Sequence, residues 1–320
     1  MELLNKNLII LSHIERKEII VGTRGSKLAL WQADFVKKEI EKRYNNLSVQ
    51  IKIIKTKGDK ILNSPLSKIG GKGVFVKEIE NALIGNIIDM GVHSVKDVPT
   101  DIPSELSLAG ILERTDPREV LISRDNVKLI ELPKNSTIAT GSLRRRAQIL
   151  SFREDFNFVE IRGNVDTRIR KFYQSSMEGM ILAKAGIERM GFDDKISEVL
   201  SEDICLPAAG QGAIGIEIRR DDELILEIAK NLNHKSSQIS IKSERAFLKR
   251  LGGGCQVPIG VLAKVSKNKL LIKGVLSDLM GKRVIREKIS GDISDPESLG
   301  ILLAEKILKC GGEKIIKEFE

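Results

Sequence analysis

The sequence predicts an α/β protein of two alternating units, closed by a smaller α+β unit. Three observations lead there. Apolar runs of strand length alternate with amphipathic stretches of helix length through the first two units, as in βαβ folds with largely parallel sheets. Near Pro207 the chain then turns to small residues, Ala208, Ala209, Gly210 and Gly212. Beyond them come a helical stretch, three strand-like runs and a second helix, the order of a small antiparallel sheet with helices on one face. A length of 320 residues accommodates two or three such units, each with ample core.

Residues 1–17 precede the first strand as an extension. Ile19 to Thr23 reads as a buried strand that runs into a glycine turn. Ser26 stands where it can cap a helix from Lys27 to Tyr44, in which Leu28, Trp31, Phe35, Val36 and Ile40 recur at helical spacing. Val49, Ile51 and Ile53 alternate with polar residues as a strand does. Lys57 to Gly73 reads as a loop, Val74 to Ile84 as a helix and Ile87 to His93 as a strand. Asp116-Pro117 marks a crossing into the second unit. There Val120 to Ser123, Thr137 to Ala139, Phe158 to Ile161 and Met180 to Ala183 read as strands, and Leu143 to Phe152 and Val165 to Phe172 as helices. Ile214 to Ile218 alternates again. In the last unit a helix from Ser240 to Leu251 leads into Gly252-Gly253-Gly254. Strands over Ile259 to Val265, Leu270 to Leu276 and Arg283 to Ile289 follow, and then a helix over Pro296 to Leu308. No long internal repeat or low-complexity tract interrupts the pattern.

Composition removes several classes of function. A 41% hydrophobic fraction is too high for a disordered chain. No stretch approaches the roughly 18–20 apolar residues of a membrane span. The short apolar pieces before Ser12 are broken by Asn5, Lys6 and Asn7 and lack a cleavage site, so no signal peptide is expected. The cysteines at 205, 255 and 310 are odd in number and far apart, which argues against a disulfide framework and for a reducing cytoplasm. Histidines at 13, 93 and 234, with no CxxC, leave no metal site in prospect. The formal charge of +9 is compatible with nucleic acid, an anionic membrane surface, an acidic small molecule or simply a solvated lysine-rich surface.

Two nucleotide motifs fail on context. Gly210 to Gly215 fits GxGxxG, but Leu206-Pro207 precedes it and a strand follows, so its glycines serve tight turns. Gly71-Lys72-Gly73 lacks the hydroxyl residue and the spacing of a P-loop. Three clusters carry chemistry instead. Val92 to Pro99 ends an apolar strand, where α/β sheets place ligands, and sets Asp97 beside Lys96. That carboxylate could serve as acid, base or counter-charge, or belong to an ordinary surface ion pair. Residues 144–170 hold seven arginines, at 144, 145, 146, 153, 162, 168 and 170, against four acids. The turns Gly141-Ser142 and Gly163-Asn164 open helices within that series, where backbone N–H groups and forked guanidiniums can grip an anion. Surface position alone accounts for Arg146, Arg153 and Arg170. Cys255 lies in a glycine loop between helix and strand, the setting of an exposed nucleophile or attachment point, whereas Cys205 sits in an apolar run.

Seven motifs in order resemble the porphobilinogen deaminase (hydroxymethylbilane synthase) family, from about Ile19 to the C-terminus. They are Gly22 to Leu30, Gly70 to Glu78, His93 to Pro99, Gly141 to Arg145, Arg162 to Val165, Leu206 to Gly212 and Gly253 to Pro258. The resemblance implies two domains like type II periplasmic binding proteins with a cleft between them, and a small α+β C-terminal domain. Residues 18–112 and 213–230 would form the first domain, 116–206 the second and 235–320 the third. It implies a dipyrromethane cofactor joined to Cys255 by a thioether. It implies a transferase that joins four porphobilinogen molecules head to tail, releases ammonia at each step and frees hydroxymethylbilane by hydrolysis, for tetrapyrrole and heme synthesis. Asp97 matches the catalytic aspartate. Arg24, Arg144, Arg145, Arg162, Arg168 and Arg189 match substrate and cofactor arginines, while Ser26, Lys68, Lys96, Thr140 and Ser142 match supporting polar contacts. The segment from Lys57 to Gly73 matches a mobile lid. A cytoplasmic monomer, bound to neither nucleic acid nor membrane, is the family's implication.

Two departures stand out. Gly252 replaces an often acidic residue, and Tyr173 to Met180 lacks an aspartate-rich turn. Two rival readings are a non-catalytic anion-binding protein on the same scaffold, which would need neither Asp97 nor Cys255, and a nucleic-acid binder. Aromatics at 4%, and arginines set at α/β turns rather than along a basic stripe, count against the second.

Overall fold

A computed structural model of the chain describes residues 17–56, 58, 73, 76–252 and 256–319. Three sheets organise it. The first joins β1 (Glu18–Thr23), β2 (Ser48–Ile53), β3 (Met90–Ser94), β4 (Leu106–Ile111) and β10 (Ile214–Arg219) in the order β2-β1-β3-β10-β4. β1 is parallel to β2 and β3, and β10 is antiparallel to β3 and β4. The second joins β5 (Glu119–Ser123), β6 (Thr137–Ala139), β7 (Asn157–Val159), β8 (Gly179–Ala183) and β9 (Glu198–Val199) in the order β7-β6-β8-β5-β9. There β6 is parallel to β7 and β8, and β5 is antiparallel to β8 and β9. Each sheet therefore has four strands running one way and one reversed strand that arrives by crossover from the other unit. This is the strand order of type II periplasmic-binding-protein folds.

Side-chain alternation lets each of these sheets bury both faces. Ile19 and Val21 of β1 pack with α1 (Lys27–Arg43) and α6 (Glu223–Leu232) through Val36, Ile40, Ile225 and Ile228. Ile20 points the other way, toward Ile79 and Leu83 of α2 (Lys77–Ile84). In the second sheet Val120 and Ile122 face Ile169 and Phe172 of α4 (Val165–Tyr173) and Ile187 of α5 (Lys184–Arg189). Leu121 and Ile181 face Ile149 of α3 (Leu143–Phe152) and the buried Cys205. The third sheet is the antiparallel meander β11 (Ile259–Ser266), β12 (Lys269–Ser277), β13 (Val284–Asp292). Its core joins Val261, Ile272 and Leu276 to Phe247 of α7 (Lys235–Leu251) and Leu303 of α8 (Pro296–Ile307).

Differences from the sequence reading have local causes. The sheets are largely parallel, as expected, but each carries one antiparallel strand that the sequence reading did not foresee, β10 or β5, which enters by crossover. α7 starts at Lys235 rather than Ser240, since the His234 ring accepts from Ser237 N (3.4 Å) and caps the earlier turn. α1 buries Ala29, Gln32, Ala33, Val36 and Ile40, while Trp31 and Phe35 stay 39% exposed and stack on each other at 5.4 Å. β4, β9, α5 and α6 have no counterpart in the sequence reading. Most of residues 1–17 and of the 57–73 segment, with Lys68, and Cys255 lie outside the described residues.

The glycines of the GxGxxG-like run are required by the crossover that leads into β10. Gly210 has φ +74°, and a Cβ there would lie 2.6 Å from Val95 and 3.1 Å from Lys96 N. Gly212 has φ +87° and would meet Thr115 O at 2.7 Å. Gly210→Ala should therefore destabilise the protein by about 1–3 kcal/mol through left-handed backbone strain and displacement of the Val95 turn. A denaturant midpoint equal to that of the parent chain would contradict this.

Candidate active site

The site begins where β3 stops. Its last residue, Ser94, exchanges hydrogen bonds with the Gln32 side chain of α1 (2.9 and 3.1 Å). A single 3-10 turn, Val95–Asp97, follows, pinned by Val95 N donating to Ala213 O (3.0 Å) beside β10. Val95 is buried, whereas Lys96 and Asp97 point out of the turn. The two side chains close no ion pair with each other among the described residues.

The second unit supplies the opposite side of the charge cluster. Thr140 N donates to Val159 O (2.9 Å), and its hydroxyl accepts from Ser142 N (3.3 Å). Ser142 caps α3 by accepting from Arg145 N (3.4 Å). The first turn of α3 thus carries Arg144 and Arg145, cations at the end of a helix where the dipole disfavours them. Glu119, fully buried at the head of β5, offsets this. Arg144 Nη2 donates to Glu119 Oε1 (2.6 Å), and Arg145 Nη2 lies 2.8 Å from Oε2. Burial alone would push the Glu119 carboxyl up, but Arg145 and Arg144, with Lys96 beyond them, hold it at about 2.

The two arginines differ in what they leave available. Arg144 is used up internally, since Nη1 donates to Leu206 O (2.6 Å) and contacts the Cys205 sulfur at 3.8 Å. Burial pushes that thiol up to about 11, which makes it an inert packing group. Arg145 donates Nη1 to Ile181 O (3.1 Å) but keeps a buried Nε without a partner. Arg168, on α4, donates Nε to Gly163 O (2.7 Å) and forms no ion pair with any described carboxylate. Burial first, then Arg145 and Arg162, bring its guanidinium down to about 10, against the pull of Asp97. Lys96 is exposed on its turn yet surrounded by charged groups. Lost hydration, reinforced by Arg145 and Arg144, lowers its ammonium to about 8 despite Asp97 and Glu119. These mutual fields place Lys96, Asp97, Arg145 and Arg168 in one cluster between the two units.

The other candidates stand around that cluster or outside it. Arg162 forks onto Glu160 (2.9 and 2.5 Å). Arg24 is half-buried in the turn between β1 and α1, and the Ser26 hydroxyl accepts from Ala29 N (3.3 Å) to cap α1. Arg189 is tied to the crossover: Nη2 donates to Gly212 O (2.7 Å) and Thr115 Oγ1 (3.2 Å), and the guanidinium lies 5.6 Å from the Trp31 ring. Its Nε is also buried without a partner. Sequence reasoning missed Glu119 and Gln32. The available signal for Glu119 was a carboxylate opening the apolar run Val120 to Ile122.

Crowded cations, some with orphaned N–H groups and fewer carboxylates than guanidinium and ammonium groups among them, fit a polycarboxylate ligand whose oxygens would complete those donors. A dipyrromethane bearing carboxylates meets that description at Arg145 and Arg168. The attachment residue, Cys255, lies outside the described residues.

Comparison with known proteins agrees with this chemistry. The family model described as "Porphobilinogen deaminase, dipyromethane cofactor binding domain" matches residues 19–227, and that described as "Porphobilinogen deaminase, C-terminal domain" matches residues 238–309. A porphobilinogen deaminase from Carboxydothermus hydrogenoformans is 50% identical over 303 residues, covering 95% of this chain and 97% of the relative. One from Geobacter metallireducens is 50% identical over 302 residues, covering 94% and 95%. One from Chlorobium luteolum is 47% identical over 307 residues, covering 95% and 98%.

Glu119→Gln leaves two buried guanidiniums short of their anion and should cost about 3–5 kcal/mol in denaturant unfolding. Because the folded carboxyl is held at about 2, the stabilisation it provides is complete above the unfolded value of about 4.3. It is lost as pH falls from there through the folded value. The variant should lack that acid limb, and a variant as stable as the parent at pH 7 would refute the assignment.

Proposed function

The chain belongs to the porphobilinogen deaminase family, and we propose on that premise that its cleft joins porphobilinogen units with Asp97 as the catalytic acid and base. The activity is that of a transferase: four porphobilinogen molecules are joined head to tail on a dipyrromethane cofactor, ammonia leaves at each step, and hydrolysis frees hydroxymethylbilane. The observation that supports this site assignment best is the exposed Asp97 carboxylate acting on Lys96 and Arg168, two cations that form no ion pair among the described residues.

Each addition breaks the C–N bond of the aminomethyl group and forms a C–C bond to a pyrrole α-carbon. One proton must reach the departing nitrogen and one must leave the α-carbon, so no external oxidant or reductant is needed. Bound dipyrromethane supplies the first nucleophilic pyrrole carbon. In this reading Asp97 gives the proton to the amine, receives the one released from carbon, and offsets positive charge on the ring in between. Arg145 and Arg168 bind substrate and cofactor carboxylates through forked N–H groups, and Lys96 adds a point charge beside them. Arg189, Arg24 and Arg162 serve further carboxylates around the rim. Arg144 acts at one remove, by fixing Glu119 and therefore Arg145. Thr140, Ser142 and Ser26 set the helix starts that aim these groups. Cys255 holds the cofactor by a thioether, and Lys68 contributes a further cation. Our reading is of a cytoplasmic monomer. Cys205 and Cys310 are free, and no helix among the described residues is long and apolar enough to cross a membrane.

Purified active protein should weigh more than the bare polypeptide, with the adduct on the peptide that contains Cys255; a bare mass in an active preparation would refute the attachment. Asp97→Asn should keep both fold and adduct and lose nearly all turnover, while a near-normal rate would remove Asp97 from the mechanism. Lys96, at about 8 in the free protein, is a cation below that pH and neutral above it. KM for porphobilinogen should therefore rise as pH passes about 8, and Lys96→Ala should flatten that rise. An unchanged KM profile in the variant would exclude Lys96 as a carboxylate contact.

A further inference from the structure

The backbone just after Asp97 is held by a residue that no part of the site description requires. Arg245, on α7, donates Nη1 to Val98 O (3.0 Å) and Nη2 to Pro99 O (2.6 Å) and Thr100 O (3.4 Å). These three consecutive carbonyls are the ones a short turn leaves without ladder partners, and a planar fork is the group that can take them together. The guanidinium is half-buried. Loss of hydration pulls it down, and the nearby carboxylates Glu217 and Asp101 offset that. Glu217 is itself buried and pairs with His93 of β3 at 2.9 Å. One turn along α7, Lys249 reaches Asp101 (2.8 Å), an exposed bridge of little weight.

The neighbour of Arg245 extends the same hold. Glu244 is fully buried and accepts from Gly210 N (2.8 Å), Ala263 N (2.8 Å) and the Arg114 fork (2.5 and 3.1 Å). Two adjacent residues of one helix therefore grip the Asp97 segment, both crossovers and the third sheet. α7 ends at Leu251, with Gly252 in the left-handed conformation (φ +71°), and the sequence reaches Cys255 three residues later.

We propose that Arg245 is a positioning residue for Asp97: by fixing the three carbonyls that follow the aspartate, it ties that carboxylate to α7 and so to the segment leading to Cys255. The proposal rests on Asp97 and Cys255 having the roles given above. Binding contacts to porphobilinogen are not its task, so its loss should lower kcat and leave KM in place.

The test uses full-length Arg245→Lys and Arg245→Ala, read by intact mass, by kcat and KM for porphobilinogen, and by amide hydrogen exchange. Arg245→Lys should fold, carry the adduct and hold KM within about twofold, while kcat falls about tenfold or more, as misplacement of a catalytic group implies. Faster exchange should be confined to residues 95–101, with Arg245→Ala showing the larger change. Wild-type kcat with unchanged exchange over 95–101 in the folded lysine variant overturns the proposal. So does faster exchange spread evenly over the chain, which marks a merely structural arginine. If Arg245→Ala fails to fold, Arg245→Lys alone decides. A parent protein with no turnover of porphobilinogen would defeat the functional reading instead, while exchange over 95–101 would still report on the tether.

Discussion

One buried carboxylate, Glu119, sets the terms for the rest of the site. Taking an isolated carboxylate out of water is costly, and so is burying a guanidinium. Neither Arg144 nor Arg145 would sit at the start of a helix against its dipole without the anion between them. With Glu119 in place, Arg144 closes its remaining donors on Leu206 O and the first turn of α3 becomes fixed. Arg145 is then immobile and still short of partners, with Nε left over. One anion shared by two guanidiniums within reach of Lys96 leaves a surplus of positive charge facing the cleft. Residual potential of this kind, held by rigid groups, is what a site for successive dicarboxylate units requires.

Glu119 has this effect because of where the chain crosses between units. It opens β5, the strand that enters the second sheet from the first unit, so the anion and the crossover are one feature. The return crossover ends at Ala213, whose carbonyl holds Val95 and with it the Asp97 turn. Arg114 and Glu244 bind the two crossovers together, and Arg189 Nη2 bonds Thr115 and Gly212 from the far unit. Movement of one unit against the other would therefore pivot on residues already bonded to the Asp97 turn and to α7. The same contacts explain the demand for glycine at 210 and 212, where any Cβ meets backbone or Val95.

Much of this was legible in the sequence, and what was not has physical reasons. Strands such as Ile19 to Thr23 and Thr137 to Ala139 show in apolar pattern, and the helix at Leu143 shows through its cap. Strand direction does not show, because β10 alternates in the same way whether it runs with its neighbours or against them. β4 escaped because Pro99 and Pro103 precede it and Ala109-Gly110 interrupt the alternation of its apolar residues. α6 lay beside charged residues that masked its strong apolar stripe, Ile225, Ile228, Ala229 and Leu232. In the site, the arginine series was plain, but Arg144 and Arg145 looked equivalent. Only the further bonds of Arg144 to Leu206 O and the Cys205 sulfur separate the one consumed inside from Arg145, which keeps an unpartnered Nε. Arg245 carried no signal at all, since its partners are backbone carbonyls, which no side-chain pattern encodes.

The charge of +9 acquires a location from this. Its useful share is the small group whose acidity is raised by crowding: Lys96 at about 8, and Arg168 and Arg189 each at about 10. Each such depression is a free-energy cost to the folded, ligand-free chain, because the cation is held where lost hydration and, at Lys96 and Arg168, neighbouring cations disfavour it. A carboxylate arriving beside these groups restores their ordinary acidity, and the cost returns as affinity. Binding and folding are thereby linked through the same residues. A polycarboxylate cofactor that never leaves would make that relief permanent, so the attached group belongs to the stability of the cleft as much as to its chemistry.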